Sequence, residues 1–249
     1  MEKNNLALAE EITTSIPEKV ERQKAKVFNI QSEIKKENKV EKAIYIGIKR
    51  TIDVIGSLVG MVLLVPATIA IYIARKVLKE DDGPIFYTQL RIGKNGKQFK
   101  LYKFRSMCMN ADEKLAEYLE KNEEAANEFK KYKKLKHDPR ITKLGNILRK
   151  TSLDEFPQFV NILKGEMSLV GPRPYLHREK EDLGGYYYNS ITKVKPGITG
   201  YWQVNGRNDV DFEERAYMDT YYIERRGIVM DLKIVLKTFF KIFKKEGAV

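Results

Sequence analysis

Residues 52–74 read IDVIGSLVGMVLLVPATIAIYIA. After Asp53 no charged residue occurs until Arg75, an interval of about 21 residues, which is the length of a straight helix across a bilayer. Pro66 sits near its middle, where its ring removes one helical hydrogen bond and kinks the chain. Lys49 and Arg50 precede the run, and Arg75, Lys76 and Lys79 follow it. Basic flanks favour the cytoplasmic side. With both ends on that side the segment dips into the bilayer and returns, giving a re-entrant hairpin kinked at Pro66. A full span and a buried soluble helix are the competing readings of the same run. Lys49, Arg50, Asp53 and Pro66 are the candidate membrane-associated positions.

Upstream, residues 1–41 are polar and rich in Lys, Glu and Asn, and they contain no apolar core of the kind a secretory leader needs. They are expected to form a solvated tail with some helix. Downstream, Gly83-Pro84 and Asn95-Gly96 mark turns, and 85–89 with 98–104 read as the two strands of a hairpin. Residues 110–137 form a charged insert with a thin apolar stripe, read as a helix or helix pair. A dense, mostly helical block covers 141–167, GPRP at 171–174 forces a rigid extended turn, and 198–204 reads as a strand ending at Asn205-Gly206. The C-terminal stretch DLKIVLKTFFKIFKK places Lys233, Lys237, Lys241 and Lys244 on one helical face. Leu232, Val235, Leu236, Phe239, Phe240 and Phe243 lie largely on the other. Such a basic amphipathic helix suits a membrane interface. The expected fold is α+β and mostly helical: a polar tail (1–41), a membrane-associated segment (42–80) and a catalytic part (81–249).

A formal net charge of +12 over 249 residues implies an anionic partner without saying which. One cysteine excludes an internal disulfide, and the absence of any Cys/His cluster argues against structural zinc. The sequence carries no phosphate-binding glycine loop, dinucleotide fingerprint or nucleophile elbow, and no signature of a nucleic-acid-binding fold.

The chemistry is best sought in TSLDEFP, residues 151–157. A helix continuing through 158–163 tolerates Pro157 only in its first turn, so its cap falls at or after Asp154. Asp154 and Glu155 then stand at a helix start, where carboxylates and phosphates are both favoured. Three readings fit: a capping pair, a magnesium site, or a nucleophile with its helper. Basic residues surround this block on both sides of the sequence, Lys103, Arg105, Arg140, Arg149, Lys150 and Arg173, and Arg forks match phosphate oxygens. Arg173 is held between two prolines. Asn205-Gly206-Arg207 adds a turn with another cation.

The motifs KRTID (49–53), PIFYTQLRIGKNGKQFKLYKFRSM (84–107), DPRITKLGNILRKTSLDEFPQ (138–158), LKGEMSLVGPRP (163–174), KPGITGYWQVNGRND (195–209) and YYIERRGIVMDLKIVLKT (221–238) occur in one order. In that order they resemble the bacterial sugar transferases, the monotopic polyprenyl-phosphate phosphoglycosyl transferases, over most of the chain. The resemblance implies a re-entrant membrane helix and interfacial amphipathic helices around a small mixed globular part. It also implies a location on the cytoplasmic face of the inner membrane. Asp154 would attack the β-phosphate of a UDP-sugar, release UMP and form an aspartyl sugar-phosphate, with Glu155 assisting. Undecaprenyl phosphate would then accept the sugar phosphate. Mg2+ would be held near Asp154, and Lys103, Arg105, Arg149, Arg173, Asn205 and Arg207 would bind substrate. A homodimer is compatible with this scheme, and nucleic acid is not an expected partner. The insert before DPRIT and PYLHREKED after GPRP look most like galactose or glucose phosphotransferases of exopolysaccharide and capsule synthesis. Val65 stands where the family often has Ser before the proline. A basic, membrane-tethered binding or scaffold protein of a polysaccharide assembly complex is the alternative.

Overall fold

In a computed structural model describing residues 39–80, 83–206 and 210–244, the apolar run lies inside one helix, α1 (Lys39–Leu78). At 1.5 Å per residue its 40 residues span about 60 Å. The helix is continuous through Pro66, whose missing N–H leaves the Val62 carbonyl without its usual donor. One stripe of α1 is buried: Asp53, Ser57, Leu64 and Ile71. Within it a Cβ on Gly60 would stand 2.4–2.5 Å from the Phe159 ring, so glycine sets how closely the helix can approach. The other faces expose Ile55, Leu58, Val59, Val62, Leu63, Val65, Ile69 and Ile73. Only 22% of the most apolar window is buried, too little for a core helix, and an exposed apolar surface of this extent marks a membrane-contacting one.

Hydrogen bonds fix α1 at both ends. Near its start, Tyr45 Oη and Lys49 Nζ both donate to Asp231 Oδ2, at 3.0 and 2.7 Å. Arg50 donates to the carbonyls of Ile162 and Leu163. Asp53 Oδ1 accepts from Ser168 Oγ and the Leu169 amide. Just beyond its end, Glu80 Oε1 accepts the Leu144 amide at 2.7 Å.

The hairpin forms as expected, with its first strand reaching further: β1 (Phe86–Ile92) pairs antiparallel with β2 (Gln98–Phe104) around Asn95-Gly96. The charged insert is a helix pair, α2 (Ala111–Lys121) and α3 (Glu123–Tyr132), closed on Leu115, Ala125 and Leu135. Then follow α4 (Lys143–Lys150), a 3-10 turn at Leu153–Glu155, α5 (Gln158–Leu163) and β3 (Ser168–Val170). After α6 (Lys180–Ile191), β4 (Gly197–Thr199) pairs parallel with β3.

The strand expected over 198–204 therefore stops at Thr199. From Gly200 the chain enters a helix, α7 (Tyr201–Asn205). Gly200 lies so close to Gly171 that a Cβ there would meet its carbonyl at 2.3 Å, and the ladder ends. Asn205-Gly206 terminates this helix, with the Gly206 amide donating to Trp202 O, rather than turning a hairpin. The last helices are α8 (Phe212–Arg225) and α9 (Ile228–Lys244). The main core lies among β3, α6, α7, α8 and α9. On α9, Ile234 is buried while Val229, Leu232, Leu236, Phe239 and Phe240 are exposed, so its apolar face is not spent on the core. The tail up to Asn38, Arg207, and the side chains of Phe243 and Lys244 fall outside the described residues.

Candidate active site

The close fit of α4 on the FRSM segment builds the site. A Cβ on Gly145 would lie 1.9 Å from Ser106 O, so only glycine allows the contact. The Ser106 carbonyl also accepts the Thr142 amide, and Ser106 Oγ accepts from Arg149 Nε at 3.0 Å. On the other side Asn161 locks α5 to β2. Its Oδ1 accepts the Tyr102 amide and its Nδ2 donates to Lys100 O. With β2 held between these helices, Lys103 projects onto the 3-10 turn. Its Nζ stands 2.9 Å from Glu155 Oε1 and 3.6 Å from Asp154 Oδ2.

The turn itself follows from sequence. Ser152 adopts the left-handed conformation (φ 57°), and Pro157, with no N–H to lose, sits immediately before α5. Asp154 and Glu155 thus precede the helix instead of capping it: Glu155 pairs with Lys103, and no helix amide is hydrogen-bonded to either carboxylate among the described residues. Asp154 is 7% exposed, in a wall that includes Phe104, Leu148, Leu153 and Phe156. Burial pushes its pKa up; Lys103 and then Arg149 pull it down, and Glu155 opposes them. Burial likewise lowers the Arg149 pKa, against the pull of Asp154. A desolvated carboxylate with free lone pairs, one carboxylate neighbour and two cations can meet an electrophilic phosphorus. One or two carboxylates completed by substrate phosphate oxygens is also a donor set that suits Mg2+.

The structure thus brings together Lys103, Arg149, Asp154 and Glu155. The other sequence candidates lie apart from this corner in their bonding. Arg105 donates to Pro84 O and lies over the Tyr87 ring. Arg140 forms a two-point pair with Asp138. Asn205 Oδ1 accepts from Lys237 on α9. Lys49, Arg50 and Asp53 join α1 to the globular part.

Arg173 belongs to a second polar cluster, most of which sequence reasoning missed. Its guanidinium is 4.0 Å from Glu179, and its amide donates to the fully buried Asp219. Arg91 Nη1 donates to Pro174 O, and burial together with Arg173 lowers the Arg91 pKa to about 10. Arg215 lies over the Trp202 ring, its pKa likewise lowered to about 10 by burial and then by Arg173. The sequence signal for Asp219 was a charge inside the largely apolar AYMDTYYI; Arg91, Glu179 and Arg215 lie in polar segments. The pairs Tyr87↔Lys103 and Arg91↔Phe99 share one hairpin face and lie ~13 Å apart along the strands.

A family model described as bacterial sugar transferase matches residues 44–245. The undecaprenyl-phosphate galactose phosphotransferase of Salmonella typhimurium is 46% identical over 204 residues, covering 81% of this chain and 41% of that protein. The UDP-glucose:undecaprenyl-phosphate glucose-1-phosphate transferase of Escherichia coli is 39% identical over 81% of this chain and 41% of its own length. The exopolysaccharide production protein ExoY of Rhizobium meliloti is 42% identical over 80% of this chain and 87% of its own. The chain therefore spans about two fifths of the first two and most of the third.

Proposed function

Because the chain belongs to the bacterial sugar transferase family, we propose that it moves a hexose 1-phosphate from a UDP-sugar to undecaprenyl phosphate, releasing UMP. The observation that carries this reading is the buried Asp154 with the half-buried Glu155 beside it, both facing Lys103, next to a helix with an exposed apolar surface. An Asp154 carboxylate oxygen attacks the β-phosphorus. The bond from that phosphorus to the bridging oxygen breaks, and UMP leaves with the electron pair. A phosphate oxygen of the acceptor then attacks the same phosphorus, the aspartyl bond breaks, and Asp154 is restored as carboxylate beneath a lipid diphosphate-sugar. Glu155 accepts any proton that the acceptor phosphate still carries. Lys103 and Arg149 balance the charge gathering at the phosphorus, and Arg173 contacts the nucleotide end of the diphosphate. Asp154, together with the substrate phosphates, would hold Mg2+, which would supply charge neutralisation there. Galactose or glucose is the expected sugar, as in the names of the relatives.

The membrane arrangement we propose is monotopic, on the cytoplasmic face of the inner membrane, as the first membrane step of exopolysaccharide or capsule repeat-unit synthesis. Its support is that one globular part is bonded to both ends of α1, through Asp231 at one end and Leu144 at the other. A helix crossing the bilayer would need its middle clear of that globular part, whereas Gly60 lies against Phe159, and Leu64 and Ile71 share a core with Phe104, Leu144 and Leu148. The exposed faces of α1 and α9 then supply the buried apolar surface.

Two assays test the proposal. Purified protein in detergent, given undecaprenyl phosphate, magnesium and each of a panel of UDP-sugars, should turn over UMP repeatedly only when all components are present, with at most one UMP per enzyme released in the absence of the lipid. Repeated turnover independent of the lipid, or none with any sugar, defeats the reaction. Single cysteines placed at Lys42 and Lys79 in a Cys108→Ser background should both react with a membrane-impermeant thiol reagent from the cytoplasmic side. Labelling from opposite sides defeats the monotopic arrangement.

A further inference from the structure

We propose that Asp219 is a positioning residue that acts through Arg173, holding the Pro172–Tyr175 turn so that the Arg173 guanidinium is presented to the nucleotide. The inference deepens the reading of Arg173 given above and rests on it.

Pro172 and Pro174 each fix their own φ, and Pro174 restricts Arg173 to extended conformations, so local backbone rotation gives Arg173 little room to adjust its presentation. Something else must set where the turn sits. Asp219 Oδ2, from the middle of α8, accepts two donors from the turn: the Arg173 amide at 3.0 Å and Tyr175 Oη at 3.0 Å. One oxygen thus holds the residue that carries the guanidinium and the residue two places on. The opposite side is held by the hairpin, where Arg91 donates to Pro174 O and the Ile92 amide donates to Tyr175 O at 2.9 Å. Asp219 is 0% exposed and Tyr175 1%, so neither bond competes with water. Buried bonds of this kind over-determine a geometry, and displacement of a binding group by about 1 Å can cost about 100-fold in rate.

The remaining atoms show that this corner is built around something other than packing. Asp219 Oδ1, Arg173 Nε, Arg91 Nε and Arg215 Nε are buried and have no hydrogen-bond partner in the protein among the described residues. A purely structural clamp would pair such donors with the free carboxylate oxygen. Instead the arginines are held around the turn by separate contacts, to Glu179, Pro174 O and the Trp202 ring. Asp219 serves the backbone of the turn and leaves the Arg173 guanidinium free for a ligand.

A double-mutant cycle on the full-length enzyme tests this, with kcat and KM for the UDP-sugar as readouts. Arg173→Ala and Asp219→Ala are each expected to lower kcat/KM about 100-fold, and the double variant by no more than about threefold beyond either. Asp219→Asn keeps an acceptor oxygen for both donors and is expected to stay folded and within about fivefold of the parent. Multiplying losses in the double variant would overturn the inference while leaving Arg173 a ligand. So would a folded Asp219→Asn enzyme impaired 30-fold or more, which also decides the matter if Asp219→Ala does not fold. An unimpaired Arg173→Ala enzyme would remove the reading of Arg173 itself, and the inference with it.

Discussion

Asp154 and Asp219 are both aspartates buried to within 7% of full exclusion, yet their surroundings differ. Asp154 sits in a turn of three residues, within 4 Å of one flexible lysine and with no backbone donor. Asp219 sits in a 14-residue helix with one oxygen fully occupied by a backbone amide and a tyrosine. Burial raises both pKa values, but Asp154 has cations beside it and no backbone donor, whereas Asp219 gives Oδ2 to the turn and keeps Oδ1 buried. A buried carboxylate becomes a reagent when its neighbours are mobile charges, and a fixture when they are backbone.

The contrast can be broken at either residue. The largest effect is expected for Asp154→Asn, which keeps the shape and removes the proposed nucleophile: UMP release should fall at least about 10⁴-fold, on the order of 5.5 kcal/mol. At the other aspartate the expected effect is on stability. Burial raises the Asp219 pKa to about 7 against an unfolded value of 3.8. Between those values the folded state holds a proton that the unfolded state has lost, so stability falls as pH rises from about 4 to about 7. The upper bound is about 4 kcal/mol. Denaturant unfolding of the parent and Asp219→Asn across this range should show the parent losing stability relative to the variant, and parallel curves would contradict the assignment. Lys103→Met should lower turnover about 100-fold, near 2.7 kcal/mol, by removing the cation that the two site carboxylates share. Smallest is Gly60→Ala, whose methyl group would force α1 away from Phe159 and should cost about 1–3 kcal/mol of thermal stability with chemistry largely preserved.

The two aspartates also differ in how far the sequence reveals them. Pro157 makes Asp154 legible, because proline forbids a helix that begins much earlier and so places the adjacent acids at its start. The hairpin was legible from Asn95-Gly96, and the apolar segment from the absence of charge between Asp53 and Arg75. Asp219 was not, since its partners are 44 and 46 residues away and no local spacing encodes them. Residues 198–204 were misread for a similar reason: the end of β4 is set by the close passage of Gly200 past Gly171, a tertiary contact. Lys49 and Arg50 were read as flanks of a membrane segment, and the structure gives each a specific acceptor on the globular part.

The central claim is that Asp154 attacks phosphorus. Intact-protein mass spectrometry after mixing the purified enzyme with UDP-sugar and magnesium, without lipid acceptor, tests it most directly. The account predicts a mass gain of one hexose phosphate, mapped by proteolysis to the peptide bearing Asp154. The gain should be lost on adding undecaprenyl phosphate and absent from Asp154→Asn. An adduct that persists in Asp154→Asn, or full turnover by that variant, would contradict it.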